Sequence, residues 1–488
     1  MKLKDLLENI EYELIQGNIE TDICDIVTDS RKIKPACVFV CIGGASFDGH
    51  DFAAEAARLG AGAIICERKV DVPEGTTLIQ VENTRKALAL MSCAYFSYPA
   101  EKLITIGITG TKGKTTTTYM IRNALELAGI KTGLIGTIET LYADVSIPSN
   151  NTTPEPYLVQ KYFNDMVLAG CKCVVMEVSS QGLKQDRVAG INFDYGIFTN
   201  LEPDHIGKNE HKDFEEYTYC KSLLFKQCKI GIFNADDAHV ESILKGHTCK
   251  VETFGINKEA DFTAYDIKHE FEGGKMSVEY KIKGKLNTEL KVNIPGTFTV
   301  YNSLTAAALL SHFDLKEDVI KKALKDVKVK GRLESVSVSD KYTLMIDYAH
   351  NAMSLKSLLI TLREYDPGRL ICLFGCGGNR SKERRYEMGE ISSEYADLTV
   401  VTSDNPRFEE PLDIINDILT GVKKKDGKYV TIPDRKQAIK FCLENARPRD
   451  IIVLAGKGHE DYQEIKGVKY PMDERILIKE VLEEINGN

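Results

Sequence analysis

The chain has 488 residues, 43% hydrophobic and 28% charged, with a net charge of −9. That is too long for one ordinary core and too acidic for the broad basic face of a general nucleic-acid binder. No run of about 18 apolar residues offers a membrane span, and the start, Met1-Lys-Leu-Lys-Asp-Leu-Leu-Glu-Asn9, lacks the apolar centre of a signal peptide.

The thirteen cysteines are scattered without a C-x-x-C pair, which suits reduced thiols and a cytoplasmic location. From the N-terminus, strand-like apolar runs alternate with amphipathic helical stretches, predicting α/β domains with mostly parallel sheets. A break at Ser97-Tyr98-Pro99-Ala100 precedes a strand at 103–109. Further strands are predicted at 173–178, 195–199, 229–234, 342–347, 370–374, 398–402 and 451–455. Several end in Gly, Asp, Glu, Asn or His, at the carboxyl edge where open α/β sheets gather ligands. Alternation and turns between Asp261 and Pro295 predict antiparallel hairpins, and a second break falls near Val329-Lys330-Gly331-Arg332. Three domains follow, at 1–100, 101–330 and 331–488.

Gly110-Thr111-Lys112-Gly113-Lys114-Thr115-Thr116 sits between a strand and a helix that stops at Gly129. It departs from G-x-x-x-x-G-K-[ST], whose first glycine would fall on Ile108. The chemistry is kept: glycines let N–H groups converge on phosphate, the helix start adds a positive dipole, and Lys114 reaches the terminal phosphates. Thr115 offers a hydroxyl to Mg²⁺. Glu177 ends an apolar strand, where a buried carboxylate needs a partner or a metal. The pair Asp204-His205 could hold a metal, position a phosphate or be structural. Lys221 lies on the apolar stripe of a helix. Such a lysine usually snorkels; buried instead, with a depressed pKa, it could take up CO₂ as a carbamate and hold a metal.

With Glu177-Val-Ser179-Ser, Gly331-Arg332-Leu-Glu, Asp347-Tyr-Ala-His350-Asn351 and Ala455-Gly-Lys-Gly-His-Glu460 following the variant loop in order, the chain resembles the Mur ligase family along essentially its whole length. The resemblance implies a three-domain α/β enzyme: an N-terminal uridine-binding domain, a central P-loop ATPase-like domain and a C-terminal Rossmann-like domain. It implies an ATP-dependent, Mg²⁺-using amide ligase of bacterial cell-wall synthesis. This enzyme would add meso-diaminopimelate to UDP-MurNAc-L-Ala-D-Glu through an acyl phosphate and act as a monomer. By motif position, Lys114, Glu177, His205 and Lys221 are catalytic, and Thr115, Glu177, His205 and carbamylated Lys221 form the metal site. ATP would contact residues 110–116 with Asn302, Arg332 and Asp347. The muramyl dipeptide would contact Thr28, Ser30, Ala45, Ser46, Phe47, Asn151, Thr152, Thr153, Ser179, Gln185 and Arg187.

Diaminopimelate would meet Arg380, Asp404, Asn405, Pro406, Arg407, Gly456 and Glu460. Arg407 suits its extra carboxylate, which it can grip bidentately. Departures from the family pattern are Ala352 in place of proline, the segment after His205, and Ser381-Lys-Glu-Arg-Arg385. The alternatives are the same ligase using L-lysine or another diamino acid, a folate-polyglutamate ligase, and a nucleotide-binding regulator that has lost activity.

Overall fold

The computed structural model describes residues 1–487 apart from Ala45, Ser46, His205, Lys208 and Asn209. The chain divides into two compact units, Met1–Asp261 with Thr305–Asp314, and Phe262–Leu304 with Leu315–Asn488. No helix among the described residues is long and apolar enough to cross a membrane.

The first unit opens with β1 (Glu13–Gln16), β2 (Ile26–Val27), β3 (Val38–Val40), β4 (Ala63–Cys66) and β5 (Thr77–Gln80), in the order β1-β5-β4-β3-β2. Only β1 is antiparallel to its neighbour. The inner strands β3 and β4 are apolar throughout and buried on both faces, whereas the edge strand β1 is partly exposed. Val38, Val40 and Ile65 pack on the helix Thr84–Tyr95, while Phe39, Ile64 and Cys66 pack on the helix Ala53–Arg58.

The same unit then forms β6 (Ile104–Thr109), β7 (Thr132–Ile135), β8 (Glu139–Tyr142), β9 (Val145–Pro148), β10 (Cys173–Glu177), β11 (Phe193–Phe198), β12 (Cys228–Asn234) and β13 (Lys250–Gly255). Their order is β13-β12-β11-β6-β10-β7-β8-β9, parallel from β13 to β7 and antiparallel beyond. Central β6 pairs Ile108 with Glu177 of β10 and Thr109 with Phe198 of β11. Three carboxyl ends therefore fall side by side, gathering the glycine loop, Glu177 and Thr199-Asn200 at one edge.

In the second unit, β14 (Phe262–Glu272), β15 (Lys275–Gly284) and β16 (Thr288–Val292) are the antiparallel strands expected between Asp261 and Pro295. A second sheet follows: β17 (Glu334–Val336), β18 (Thr343–Asp347), β19 (Leu370–Phe374), β20 (Leu398–Val401), β21 (Tyr429–Thr431) and β22 (Ile451–Ala455), in the order β17-β18-β22-β19-β20-β21. Only β17 runs antiparallel. The helices Ala352–Arg363, Lys382–Tyr395 and Pro411–Val422 cover one face, and Arg435–Glu444 with Glu474–Asn486 the other. A hairpin of β23 (Tyr462–Ile465) and β24 (Val468–Pro471) stands apart from that sheet. Ala352 does no harm to its helix, because Asn351 caps it by accepting the Ser354 N–H at 2.9 Å.

Candidate active site

The glycine loop leaves β6 through Gly110 at φ +146°, where an added Cβ would come within 2.0 Å of Thr199 Oγ1. Glycine is what lets the loop lie this close to the end of β11. Asn200 holds the loop further on, accepting the Lys112 N–H at 2.9 Å on its side chain and the Thr111 N–H at 2.9 Å on its carbonyl. Two ammonium groups converge on the Gly110 carbonyl: Lys114 Nζ at 2.8 Å, which also donates to the Thr111 carbonyl at 3.0 Å, and Lys221 Nζ at 2.8 Å.

Lys221 sits on the helix Phe214–Ser222 and is 2% exposed, so it does not snorkel. Its ammonium lies 4.6 Å from the centre of the Tyr217 ring, whose hydroxyl meets Thr111 Oγ1 at 3.1 Å. Burial first, and the Lys114 charge second, push the Lys221 amine well below the ordinary lysine range. A neutral amine is the form that reacts with CO₂.

Glu177 is fully buried at the end of β10. Its Oε2 accepts the Thr115 and Thr137 hydroxyls at 3.0 Å each, and its Oε1 accepts the Thr137 N–H at 2.8 Å. A buried carboxylate and a hydroxyl at the phosphate loop form a hard oxygen set of the kind Mg²⁺ takes. His205, expected beside them, lies outside the described residues. Among the described residues, no three His, Cys, Asp or Glu side chains are gathered to hold a metal.

Next to Glu177, Thr153 Oγ1 donates to the Glu177 carbonyl at 2.9 Å and accepts the Ser179 N–H at 2.9 Å. Ser179 in turn caps the helix Ser180–Lys184. Arg187 donates to the Thr153 carbonyl and to Gln185 Oε1, both at 2.7 Å, and pairs with Glu155 at 2.7 Å. The expected Thr153, Ser179, Gln185 and Arg187 are thus one connected group, which Thr152 joins through Thr137 at 3.1 Å. Asn151 and Thr28 are exposed, Ser30 is half-buried, and Phe47 projects with 76% exposure. Ala45 and Ser46 lie outside the described residues.

The remaining residues belong to the second unit. Asn302 is buried in the helix Thr297–Leu310. Asp347 ends β18 and accepts the Leu333 and Ala349 N–H groups at 2.8 Å each. Burial raises its carboxyl pKa, and Arg332 beside it opposes the rise. The Arg332 guanidinium lies 4.9 Å from the centre of the Tyr348 ring, which also packs against His350 and His459 at 4.6 Å each. Gly331, at φ +67°, has no room for a Cβ, which would fall 2.2 Å from the His459 nitrogen.

Around the carboxyl ends of β19, β20 and β22, Asp404, Asn405, Arg407, Gly456 and Glu460 form a second group. Asp404 and Asn405 are buried. Arg407 donates to Glu464 Oε2 at 3.1 Å and to the Gly378 carbonyl at 2.8 Å, and its backbone bridges to Ile465. The Asn405 carbonyl accepts the Gly378 N–H at 2.8 Å, which ties the loop bearing exposed Arg380 to the loop bearing Arg407. Beneath both, fully buried Arg385 grips Glu409 through two bonds of 2.8 Å and Asp417 through one of 2.9 Å. Glu409 also accepts the Asn379 N–H.

Three family models match in order: "Mur ligase family, catalytic domain" over residues 22–96, "Mur ligase middle domain" over 108–310, and "Mur ligase, glutamate ligase domain" over 331–458. A Clostridium perfringens UDP-N-acetylmuramoyl-L-alanyl-D-glutamate--2,6-diaminopimelate ligase is 43% identical across 99% of this chain and 100% of its own. This chain belongs to the Mur ligase family. Another member, the protein of the same name from Caldanaerobacter subterraneus, is 42% identical across 99% of both chains. Among solved structures, a UDP-N-acetylmuramoyl-L-alanyl-D-glutamate--2,6-diaminopimelate ligase superposes with a TM-score of 0.73 at 26% identity, covering 100% of this chain and 99% of its own.

Several members of these groups escape sequence reasoning. Thr137 provides two of the three donors to Glu177, yet it follows an ordinary short strand. Asn200 lies within the quoted Thr199–His205 segment, but nothing marks it as the clamp on the loop. Arg385 and Glu464 look like surface charges in polar stretches, and Lys457 lies within the quoted 455–460 motif with nothing to mark its role.

Proposed function

We propose that the chain is a cytoplasmic, monomeric, ATP-dependent ligase that joins meso-diaminopimelate to the D-glutamate carboxylate of UDP-MurNAc-L-Ala-D-Glu. The observation that carries this reading is Lys221, a buried amine sharing the Gly110 carbonyl with the phosphate-loop lysine. The whole-length likeness to diaminopimelate ligases supports the choice of substrates.

In this reading a carboxylate oxygen of D-glutamate attacks the γ-phosphorus of ATP, and ADP leaves. The diaminopimelate amine then attacks the acyl carbon, the amide bond forms, and phosphate is expelled. Lys114 would exchange its carbonyl partners for the terminal phosphates and offset the developing charge. Loop residues 110–113, with Thr115 and Thr116, would cradle the phosphates. Asn302, Arg332 and Asp347 would hold the adenine and ribose. Thr115, Glu177, His205 and a carbamate on Lys221 would hold Mg²⁺, which would supply charge neutralisation. The neutral Lys221 amine forms that carbamate by adding to CO₂ and releasing a proton.

Thr28, Ser30 and residues 45–47 would receive the uridine end in a domain spanning 1–100. In the 101–330 domain, residues 151–153, Ser179, Gln185 and Arg187 would receive the diphosphate and peptide. The 331–488 domain would place diaminopimelate on Arg380, residues 404–407, Gly456 and Glu460.

The test supplies ATP, Mg²⁺ and the muramyl dipeptide with either meso-diaminopimelate or L-lysine, following phosphate release and product mass. Turnover with diaminopimelate alone is expected. Turnover with lysine alone would replace the amino acid, and turnover with neither would sink the reading.

A further inference from the structure

Lys457 lies between β22 and β23, and its side chain is 0% exposed. An ammonium has three hydrogens to place, and each finds an acceptor: Asn405 Oδ1 at 2.9 Å, Glu460 Oε2 at 2.7 Å and the Tyr462 carbonyl at 2.5 Å. The first bond orients the Asn405 amide, because a lysine can only donate. Asn405 Oδ1 also accepts the Glu464 N–H at 2.9 Å, so its nitrogen turns the other way and donates to Glu460 Oε2 at 2.9 Å. Glu460 Oε2 thus takes two donors, while its Oε1 takes none from any described residue.

A carboxylate with one oxygen saturated and one open is a directed acceptor. Lys457 also balances the charge of the part-buried Glu460, so the open oxygen is held in place. Cationic donors on the neighbouring loops, Arg380 and Arg407, suit carboxylates; the open oxygen suits an ammonium. We propose that Lys457 is a positioning residue for amino-acid recognition, holding Asn405 and Glu460 so that Glu460 Oε1 is kept for an ammonium group of the incoming diamino acid. Lys457 does not touch that amino acid, since all three of its hydrogens are engaged. The proposal rests on the ligase reading above.

The test is a double-mutant cycle read as KM for diaminopimelate against KM for ATP. Lys457→Met is expected to raise the diaminopimelate KM about tenfold or more, the scale of a lost charged hydrogen bond, while the ATP KM stays within about twofold. Glu460→Gln alone raises the diaminopimelate KM, and the double variant is expected to match Glu460→Gln because Lys457 acts through that carboxylate. Multiplying penalties, or an unchanged diaminopimelate KM in a folded Lys457→Met protein, overturns the proposal.

If Lys457→Met fails to fold, the double variant, which leaves no unpaired carboxylate, is compared with Glu460→Gln in the same way. If neither folds, Lys457 serves the fold alone and the proposal is overturned. The wild-type protein is assayed beside them, so a failure of the ligase reading appears there first. In that event the ¹⁵N side-chain resonance of Asn405, followed as diaminopimelate alone is added, still reads the pocket. A shift supports the proposal, and none overturns it.

Discussion

Two lysines of this chain are buried almost equally and held in opposite ways. Lys221 has a carbonyl, an aromatic ring and another lysine for neighbours. Lys457 has two oxygen acceptors and a carboxylate. Burial and the Lys114 charge outweigh the opposing Asp204 carboxylate and drive the Lys221 amine toward its neutral, nucleophilic form, whereas burial against a hydrogen-bonded carboxylate makes Lys457 a fixed cation that organises what surrounds it. Under the proposed function, the same residue type would serve as a reagent in one unit and as a fastening in the other.

Activity gives the widest separation. Lys114→Ala and Lys221→Met should each cut phosphate release by about 10²–10³-fold, the scale of removing one preorganised charge partner from a reacting phosphoryl group. A turnover number within tenfold of wild type for Lys221→Met would break the comparison. Arg407→Ala comes next: its diaminopimelate KM should rise about 10–100-fold through loss of a charged hydrogen-bonding partner, with the ATP KM unmoved.

Stability should separate the two lysines with opposite signs. Lys457→Met leaves Glu460 without its cation and should cost about 3 kcal/mol, seen as a lower Tm. Lys221→Met removes a cation the fold disfavours and should leave Tm at pH 7 unchanged or raised. The sign follows from linkage. The folded-state pKa of Lys221 lies below its ordinary 10.5, so between those two values the unfolded chain binds more protons and wild-type stability climbs with pH. The Tm advantage of Lys221→Met should therefore shrink as pH approaches 10.5. An advantage that grows with pH would refute the burial account.

The smallest effect concerns the Arg385 clamp. The Arg385 guanidinium holds the Glu409 carboxyl down to about 2, below its ordinary 4.5. That contribution is present above 4.5 and is lost as pH falls through 2. Arg385→Met should flatten the acid limb of a Tm-against-pH curve within that window.

Much of this layout is legible in the sequence, for a physical reason. Strands buried on both faces are written as continuous apolar runs, and the predicted strands lie within one or two residues of those observed. Motif residues at strand ends, such as Glu177 and Asp347, are found where parallel sheets place ligands. What stays hidden is partnership. On a helical stripe, Lys221 reads as a snorkelling side chain, because only the fold shows that Gly110 and Tyr217 close over it. Arg385 looks like a solvent charge until Glu409 and Asp417 arrive from another part of the chain, and Lys457 until Asn405 and the Tyr462 carbonyl close around it beside Glu460. Thr137 becomes visible only when β10 brings Glu177 to it.

Gly331 carries a consequence for protein engineering. A side chain there would strike the backbone of Gly458 and His459, and one at Gly458 would strike Tyr348. The segments at Gly331, Tyr348 and Gly458 thus meet with no room for a side chain at either glycine, and Gly331 belongs with the C-terminal sheet although it stands at its threshold. A chimera that borrows the C-terminal part of another ligase should be joined ahead of Gly331, so that both glycines come from one parent. A junction only a few residues later would mix surfaces never fitted to each other, even if every substrate-binding residue were kept.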